Sequence, residues 1–158
     1  MMKINIIVVG KIKEKYLKDA IDEYKKRLSK FCVLNIVEVD ESVAKTENEA
    51  NIKKLIEEEA KNITSKLKNE YVIALDIDGK EYSTLEISEK IKEITLKGTS
   101  EISFIVGGSY GLSENIKKRA DLRLSFSKLT FPHQLFRVIL LEQIYRVFKI
   151  LNGEPYHK

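Results

Sequence analysis

Apolar residues follow two spacings along the chain, one typical of buried strands and one typical of amphipathic helices. Continuous or alternating apolar runs predict strands at residues 3–9, 33–39, 71–76, 102–106 and about 122–126. Helical spacing predicts helices at residues 14–28, 47–67 and about 132–152, a short helix that begins at Ser113, and one that runs from a Ser83–Glu86 capping box to just before Gly98. Strands and helices therefore alternate along the whole chain.

This alternation predicts a mostly parallel sheet with helices on both faces, because parallel neighbours need a crossover that is usually helical. Ligands of such sheets bind beyond the carboxyl ends of the strands, where the strand order reverses. The candidate binding loops are residues 75–79, 107–111 and 127–133; the first contains an Asp78-Gly79 turn that is expected to close the third strand. No repeat or linker-like tract divides the sequence, so one domain over residues 1–158 is expected.

The composition limits the classes of protein that fit. The chain has 158 residues, 43% of them hydrophobic, and no uncharged apolar stretch of the roughly 20 residues that span a membrane. We therefore expect a cytoplasmic protein without a membrane segment. Cys32 is the one cysteine and there are 2 histidines, so neither an internal disulfide nor a Cys/His zinc site is expected. Cys32 is interpreted as a buried apolar thiol.

Positive charge is concentrated towards the C-terminal end. Residues 117–158 contain nine Lys/Arg and three Asp/Glu, a local charge of +6, so the total of +4 leaves −2 for residues 1–116. This asymmetry favours a polyanionic partner, with nucleic acid ahead of a membrane surface. Ordinary solvated lysines explain the charge equally well, so charge by itself leaves the choice open.

The glycine loop GGSYGLSENIKK, at residues 107–118, matches neither common phosphate-binding fingerprint. It lacks the Gly-Lys-Ser/Thr ending of a Walker A loop, and it follows the fourth strand, whereas the dinucleotide fingerprint follows the first. ATP hydrolysis and NAD binding are therefore disfavoured. Its glycines would let a ligand approach the backbone closely, and a plain tight turn is an equally good interpretation.

The C-terminal helix is apolar around most of its circumference, with one polar stripe formed by Glu142, Arg146 and Lys149. A helix of this kind must be buried on most sides, which predicts packing against a second copy in a homodimer. The alternative for Glu142 and Arg146 is an ordinary surface ion pair. His133 lies at the start of the helix, where the helix dipole favours a neutral imidazole that can accept a proton.

Three motifs carry a resemblance to a known family: SFSKLTFPHQLFRVILLEQIYRVFKILNGEPYHK at residues 125–158, FIVGGSYGL at 104–112 and the ALDIDGK turn at 74–80. With them the chain closely resembles the ribosomal RNA large-subunit pseudouridine N3-methyltransferases (RlmH), which belong to the SPOUT class. The resemblance covers essentially the whole chain. It implies an α/β-knot fold, in which the C-terminal segment of a parallel α/β sheet is tucked through a loop as a trefoil knot, and a functional homodimer.

The resemblance also implies a methyl donor and a substrate. The donor would be S-adenosylmethionine, and the substrate a pseudouridine of large-subunit (23S) rRNA presented by the assembled 70S ribosome. The residues placed against the donor are Leu75, Gly107, Gly108, Phe126, Ser127, Lys128, Leu129, Thr130 and Phe131. They fall in or beside the three loops that the strand pattern indicates.

In the implied reaction N3 of pseudouridine must lose its proton, which requires either a nearby base or a site that lowers the pKa of N3. His133, Glu142 and His157 are the candidates. We expect Arg146 to stabilise the developing negative charge or hold a phosphate, and Tyr156 to stack on the base or contact it through its hydroxyl. The tail at residues 155–158 of one subunit is expected to help complete the site of the other. Phosphate contacts are expected from Arg123, Arg137 and Lys158.

Two other classes of function fit parts of the sequence. The same basic, dimeric domain could be a ribosome-binding factor without catalysis, and binding of S-adenosylmethionine would distinguish the enzyme from it. A nucleotide-binding regulator that uses the glycine loop is disfavoured by the missing fingerprints, and ATP or NAD would raise its melting temperature.

Overall fold

The computed structural model describes residues 1–156, which form alternating strands and helices. The strands are β1 (Met2–Val9), β2 (Cys32–Val39), β3 (Tyr71–Glu81), β4 (Glu101–Val106) and β5 (Leu122–Ser125). The helices are α1 (Lys15–Leu28), α2 (Glu49–Thr64), α3 (Thr84–Leu96), α4 (Glu114–Arg119) and α5 (His133–Leu151). The strands pair in parallel in the order β2-β1-β4-β3-β5, which confirms the predicted parallel α/β sheet.

The sheet is buried on both faces, as its nearly continuous apolar strands require. Alternate residues of β1 point to opposite sides: Ile4 and Ile6 join one core cluster, and Ile7 and Val9 join the other. Helices α1, α3 and α5 cover the first cluster, and α2 and α4 contribute to the second. Strands β4, β3 and β5 are consecutive neighbours, with β5 at the edge of the sheet, so their carboxyl ends lie side by side.

Strand β3 is longer than predicted, because the Asp78-Gly79 turn does not close it. Leu124 of β5 pairs first with Leu75 and again with Lys80, so the residues between them bulge out of the strand. Gly79 allows this arrangement, since a Cβ at that position would lie 2.7 Å from the backbone carbonyl of Arg123. The bulge therefore lies directly against the backbone of β5.

The helix starts depend on local hydrogen bonds that are visible in the sequence. The predicted capping box is present: Ser83 Oγ accepts from the Glu86 amide at 3.1 Å, and Glu86 Oε2 accepts from the Ser83 amide at 2.6 Å. Helix α2 is shorter than the predicted 47–67. It begins at Glu49, because Asn48 caps its start by accepting from the Asn51 amide at 2.8 Å, and it ends at Thr64. Pro132 stands just before α5.

Cys32 is buried in the core, as predicted, and burial raises the pKa of its thiol to about 11. Among the described residues, no helix has the length and apolar character needed to cross a lipid bilayer. Across residues 1–156, acidic, histidine and cysteine side chains form no cluster that could hold a metal ion.

Replacing Gly79 with alanine is expected to destabilise the fold, because the added Cβ would collide with the Arg123 backbone. We expect a loss of about 1–3 kcal/mol in the free energy of unfolding, measured by urea denaturation. Asp78→Ala is the matched control, since the neighbouring Asp78 side chain is exposed. Equal stability of the two variants would contradict the close approach of β3 and β5.

Candidate active site

The loops that follow β4 and β5 and the bulge of β3 enclose a cavity of about 600 Å³. This volume lies within the usual range for small-molecule sites. The lining includes Leu75 to Asp78 of the bulge, the glycine loop from Gly107 to Gly111, most of the segment from Ser125 to His133, and Phe136 of α5. The three loops indicated by the strand pattern therefore meet around one cavity.

One wall of the cavity is aromatic. The ring centroids of Phe126 and Phe136 are 5.0 Å apart in an edge-to-face arrangement, and those of Phe131 and Phe136 are 6.0 Å apart. These rings are supplied by the segment after β5 and by the first turn of α5. An apolar wall of this kind suits a flat ring system such as a nucleobase.

The glycine loop, another part of the cavity lining, folds back on itself. The Gly111 amide donates to the Gly108 carbonyl at 3.1 Å, and Gly111 has a positive φ of 86°. A Cβ on Gly107 would lie 2.9 Å from the Gly111 carbonyl oxygen, so only glycine fits there without rearrangement. The loop is thus a tight turn and also part of the cavity wall.

The cavity has a charged edge formed by Asp76 and Lys117. Arg123 donates to Asp76 Oδ2 from Nε at 2.8 Å and from Nη2 at 2.6 Å, and Lys117 Nζ lies 3.9 Å from the same oxygen. Burial acts to raise the pKa of Asp76, but the hydrogen bonds from Arg123 and the Asp78 amide and the charge of Lys117 outweigh it and lower the pKa. Asp76 is therefore an anion at neutral pH.

Sequence reasoning did not single out Asp76 or Lys117 as site residues. Asp76 had an available signal, because it is the charge that ends the apolar run of β3 beside Leu75. Lys117 had none, since Asp76, the carboxylate that it approaches at the cavity, belongs to a strand that is distant in sequence, and its other partner, Glu114, is an ordinary i,i+3 neighbour on α4.

Most of the residues predicted to hold the donor line the cavity. The lining members of that set are Leu75, Gly107, Gly108, Phe126, Ser127, Leu129, Thr130 and Phe131. Lys128 belongs to the same segment but is exposed and lies outside the lining. The geometry of the cavity therefore does not support Lys128 as a donor-binding residue.

A second group of polar residues lies on α5, where the predicted ion pair is present. Arg146 donates to Glu142 Oε1 from Nη2 at 2.7 Å and from Nε at 3.2 Å. Tyr156 donates to the same oxygen at 3.2 Å, and its ring lies under the guanidinium, 4.5 Å from Arg146 Cζ. We call Glu142, Arg146 and Tyr156 the arginine cluster. It is half-buried and held in a fixed orientation.

The candidate catalytic residues fall into two groups within one chain. His133 lines the cavity, whereas Glu142 follows nine residues later, about 13 Å further along the helix axis. His157 lies outside the described residues. One chain therefore does not bring the cavity and the arginine cluster together.

The expectation that Arg137 contacts phosphate is wrong. Its side chain is only 3% exposed, with Nη1 bound to Glu38 Oε2 at 3.0 Å and Nη2 donating to the carbonyls of Val9 and Gly10. The guanidinium is occupied by these partners inside the protein. Arg123 is partly exposed but bound to Asp76, and Lys158 lies outside the described residues.

Comparisons with known proteins agree with this architecture. A family described as "Predicted SPOUT methyltransferase" matches residues 2–157. The chain belongs to the SPOUT methyltransferase family. Members of this family use S-adenosylmethionine as methyl donor.

Two relatives of this SPOUT methyltransferase match it from end to end. A protein of Clostridioides difficile (strain 630) is 55% identical, and one of Clostridium botulinum (strain Okra / Type B1) is 56% identical. Each match covers 99% of this chain and 100% of the relative, and each relative is named "Ribosomal RNA large subunit methyltransferase H". Among solved structures, "a probable methylase family protein" from Haemophilus influenzae Rd KW20 has a TM-score of 0.59 at 14% identity. The match covers 100% of this chain and 72% of that chain, so the two proteins share a fold.

Asp76→Asn is expected to destabilise the protein in a pH-dependent way. Because folding lowers the pKa of Asp76, its ionised form contributes stability that is complete above the ordinary value of 3.8 and is lost as pH falls through the lower folded value. At about pH 7 the variant should lose about 1–2 kcal/mol of unfolding free energy, and this difference from the unsubstituted protein should shrink below about pH 4.

Urea denaturation across that pH range measures the effect, with Asp19→Asn in an exposed ion pair as control. A deficit of Asp76→Asn that stays constant into acid would show that the ionised carboxylate is not what stabilises the bulge.

Proposed function

We propose that this protein transfers a methyl group from S-adenosylmethionine to N3 of a pseudouridine in 23S rRNA, acting in the cytoplasm on the assembled 70S ribosome. The observation that carries the proposal is the cavity beyond β4, β3 and β5, in a SPOUT methyltransferase whose full-length relatives are named for large-subunit rRNA. The excess of positive charge in residues 117–158 agrees with an RNA substrate.

The residues around the cavity fit the donor's chemistry. The wall of Phe126, Phe131 and Phe136 suits the adenine ring, and the glycine loop lets backbone groups approach it closely. The charged edge at Asp76 and Lys117 suits the amino and carboxyl groups of the methionine part. Bound S-adenosylmethionine supplies an electrophilic methyl group on a cationic sulfur, and in-line alignment with the attacking nitrogen governs the rate.

The acceptor nitrogen must lose a proton, and the negative charge left on the base must be stabilised. His133 lies in the cavity wall, and we assign it the role of receiving that proton. Arg146 is held by Glu142 and by the Tyr156 ring. Because its guanidinium is already oriented, it loses little side-chain conformational entropy when it binds an anion. We assign it the role of stabilising the imidate, with Tyr156 contacting the base.

The separation of His133 from the arginine cluster supports a homodimer with composite sites. In this arrangement the arginine cluster of one subunit, with the tail at residues 155–158, completes the cavity of its partner. Helix α5 carries apolar side chains that remain accessible in the single chain, including Leu135 at 39% exposure. Such a surface on a largely apolar helix favours packing against a second copy.

The proposed chain topology is a trefoil knot within one domain of residues 1–158. Support comes from the bulge of β3, which lies against the backbone of β5 at Gly79 and Arg123. The segment that leaves β5 then lines the cavity together with that bulge and the glycine loop before it enters α5.

Intact 70S ribosomes that lack the modification should accept labelled methyl from S-adenosylmethionine, while isolated subunits and free rRNA accept much less. The label should lie on N3 of a pseudouridine, as measured by nuclease digestion and mass spectrometry. Donor binding without transfer to any ribosomal particle would contradict the proposed substrate. Absence of donor binding would favour a ribosome-binding factor without catalysis.

A mixing experiment tests the composite site. Thr130→Trp should fill the cavity, and Arg146→Ala removes the guanidinium, so each variant should be inactive by itself. Refolded together in equal amounts, they should recover about a quarter of the normal activity, because half of the dimers are mixed and each holds one intact site.

The control for the mixing experiment joins differently tagged copies of Arg146→Ala, which should stay inactive. Affinity capture through one tag establishes that mixed dimers have formed. Mixed dimers of Thr130→Trp and Arg146→Ala that show no activity would place the complete site within one chain.

A further inference from the structure

The loop between β1 and α1 carries two lysines that have no acidic partner in the part of the chain that the structure describes. Lys11 and Lys13 are exposed, and within residues 1–156 neither takes part in an ion pair. By contrast, Lys15 at the start of α1 binds Asp19 at 2.8 Å. Tyr16, one residue further, is the most exposed aromatic side chain of the described chain at 69%.

This exposed loop is nevertheless firmly anchored at its base. Arg137 Nη2 donates to the carbonyls of Val9 at 3.1 Å and Gly10 at 2.7 Å. Glu38 Oε2 accepts both from Arg137 Nη1 at 3.0 Å and from the Ile12 amide at 3.2 Å. The positive φ of Gly10, 88°, makes the turn that places these groups around the guanidinium.

A further contact joins the loop to the cavity side of the molecule. Gln134 Nε2 donates to the Lys11 carbonyl at 3.2 Å, and His133, its neighbour in α5, lines the cavity. The Lys11 backbone therefore lies beside the first turn of α5, in which His133 lines the cavity. An anchored backbone that carries exposed ammonium groups is an arrangement that suits phosphate contacts.

Acidic groups near the loop reduce its positive potential without cancelling it. Glu41 Oε2 lies near Gly10, 3.2 Å from where a Cβ would stand, and Glu14 is exposed within the same connection. Glu38 is already bound to Arg137. The two unpaired ammonium groups remain free to exchange their counterions for phosphate.

We propose that the β1–α1 loop is an RNA-binding surface, on which Lys11 and Lys13 contact phosphates next to the target nucleotide and Tyr16 packs against the RNA. Arg137, Glu38 and Gln134 are positioning residues that hold this loop beside α5. The inference rests on the proposed function, since it takes the RNA substrate from it and adds the surface that binds it. No residue of the donor cavity or of the arginine cluster belongs to this surface.

The test is the double substitution Lys11→Gln and Lys13→Gln, measured as binding to ribosomes across a range of salt concentrations. Each phosphate contact contributes about 0.7–0.9 to the slope of log affinity against log salt, so the slope should fall by about 1.5. KM for ribosomes should rise, while kcat at saturating ribosomes, S-adenosylmethionine affinity and melting temperature stay unchanged. Lys66→Gln with Lys68→Gln is the matched control, because these exposed lysines lie just before β3, at the amino ends of the parallel strands, whereas the β1–α1 loop follows a carboxyl end.

Gln134→Ala tests the anchoring separately, because it releases the Lys11 carbonyl without changing any charge. It should raise KM for ribosomes and leave the salt slope as it was. An unchanged slope and KM in the Lys11/Lys13 variant would overturn the inference, provided that the unsubstituted protein methylates ribosomes. If the unsubstituted protein fails to methylate them, the proposed function itself is wrong.

Discussion

The pairing of β5 with β3 is the contact on which the rest of the site depends. Strand β5 has four residues and one partner strand, so its own ladder holds it weakly. The bulge of β3 adds what the ladder lacks: Gly79 permits backbone contact, and Asp76 binds the Arg123 guanidinium through two hydrogen bonds. Because the cavity-lining residues 125–133 and helix α5 both follow β5, a displacement of β5 would move the aromatic wall of the cavity.

The buried guanidinium of Arg137 satisfies backbone carbonyls at the end of a strand. Backbone carbonyls that leave a parallel sheet in the interior need donors, and Arg137 provides them for Val9 and Gly10. Glu38 balances its charge, although Nε of the guanidinium remains without a hydrogen-bond partner in the described chain. The carbonyls at the end of β1 thereby explain why α5 carries a buried arginine, although β1 and Arg137 are far apart in sequence.

How much the sequence reveals depends on whether the deciding contact is local. The alternation of elements, the Ser83 capping box and the three cavity loops could be predicted, because periodicity and short-range hydrogen bonds determine them. The end of β3 could not, since the turn signal at Gly79 is overridden by pairing with a strand that is distant in sequence. For the same reason the helical pattern of α5 gave no sign that Arg137 is buried against β1.

The geometry of α5 limits how a complete site can be built. His133 and Arg146 are separated by thirteen residues of continuous helix, a rise of about 20 Å, and a straight helix cannot bring both ends to one cavity. Bending would break the backbone hydrogen bonds of a helix whose middle turns are packed in the core. A two-fold axis removes the difficulty, because each arginine cluster can then face the cavity of the other subunit while every helix stays straight. The length of this rigid helix is therefore an argument in favour of the proposed dimer.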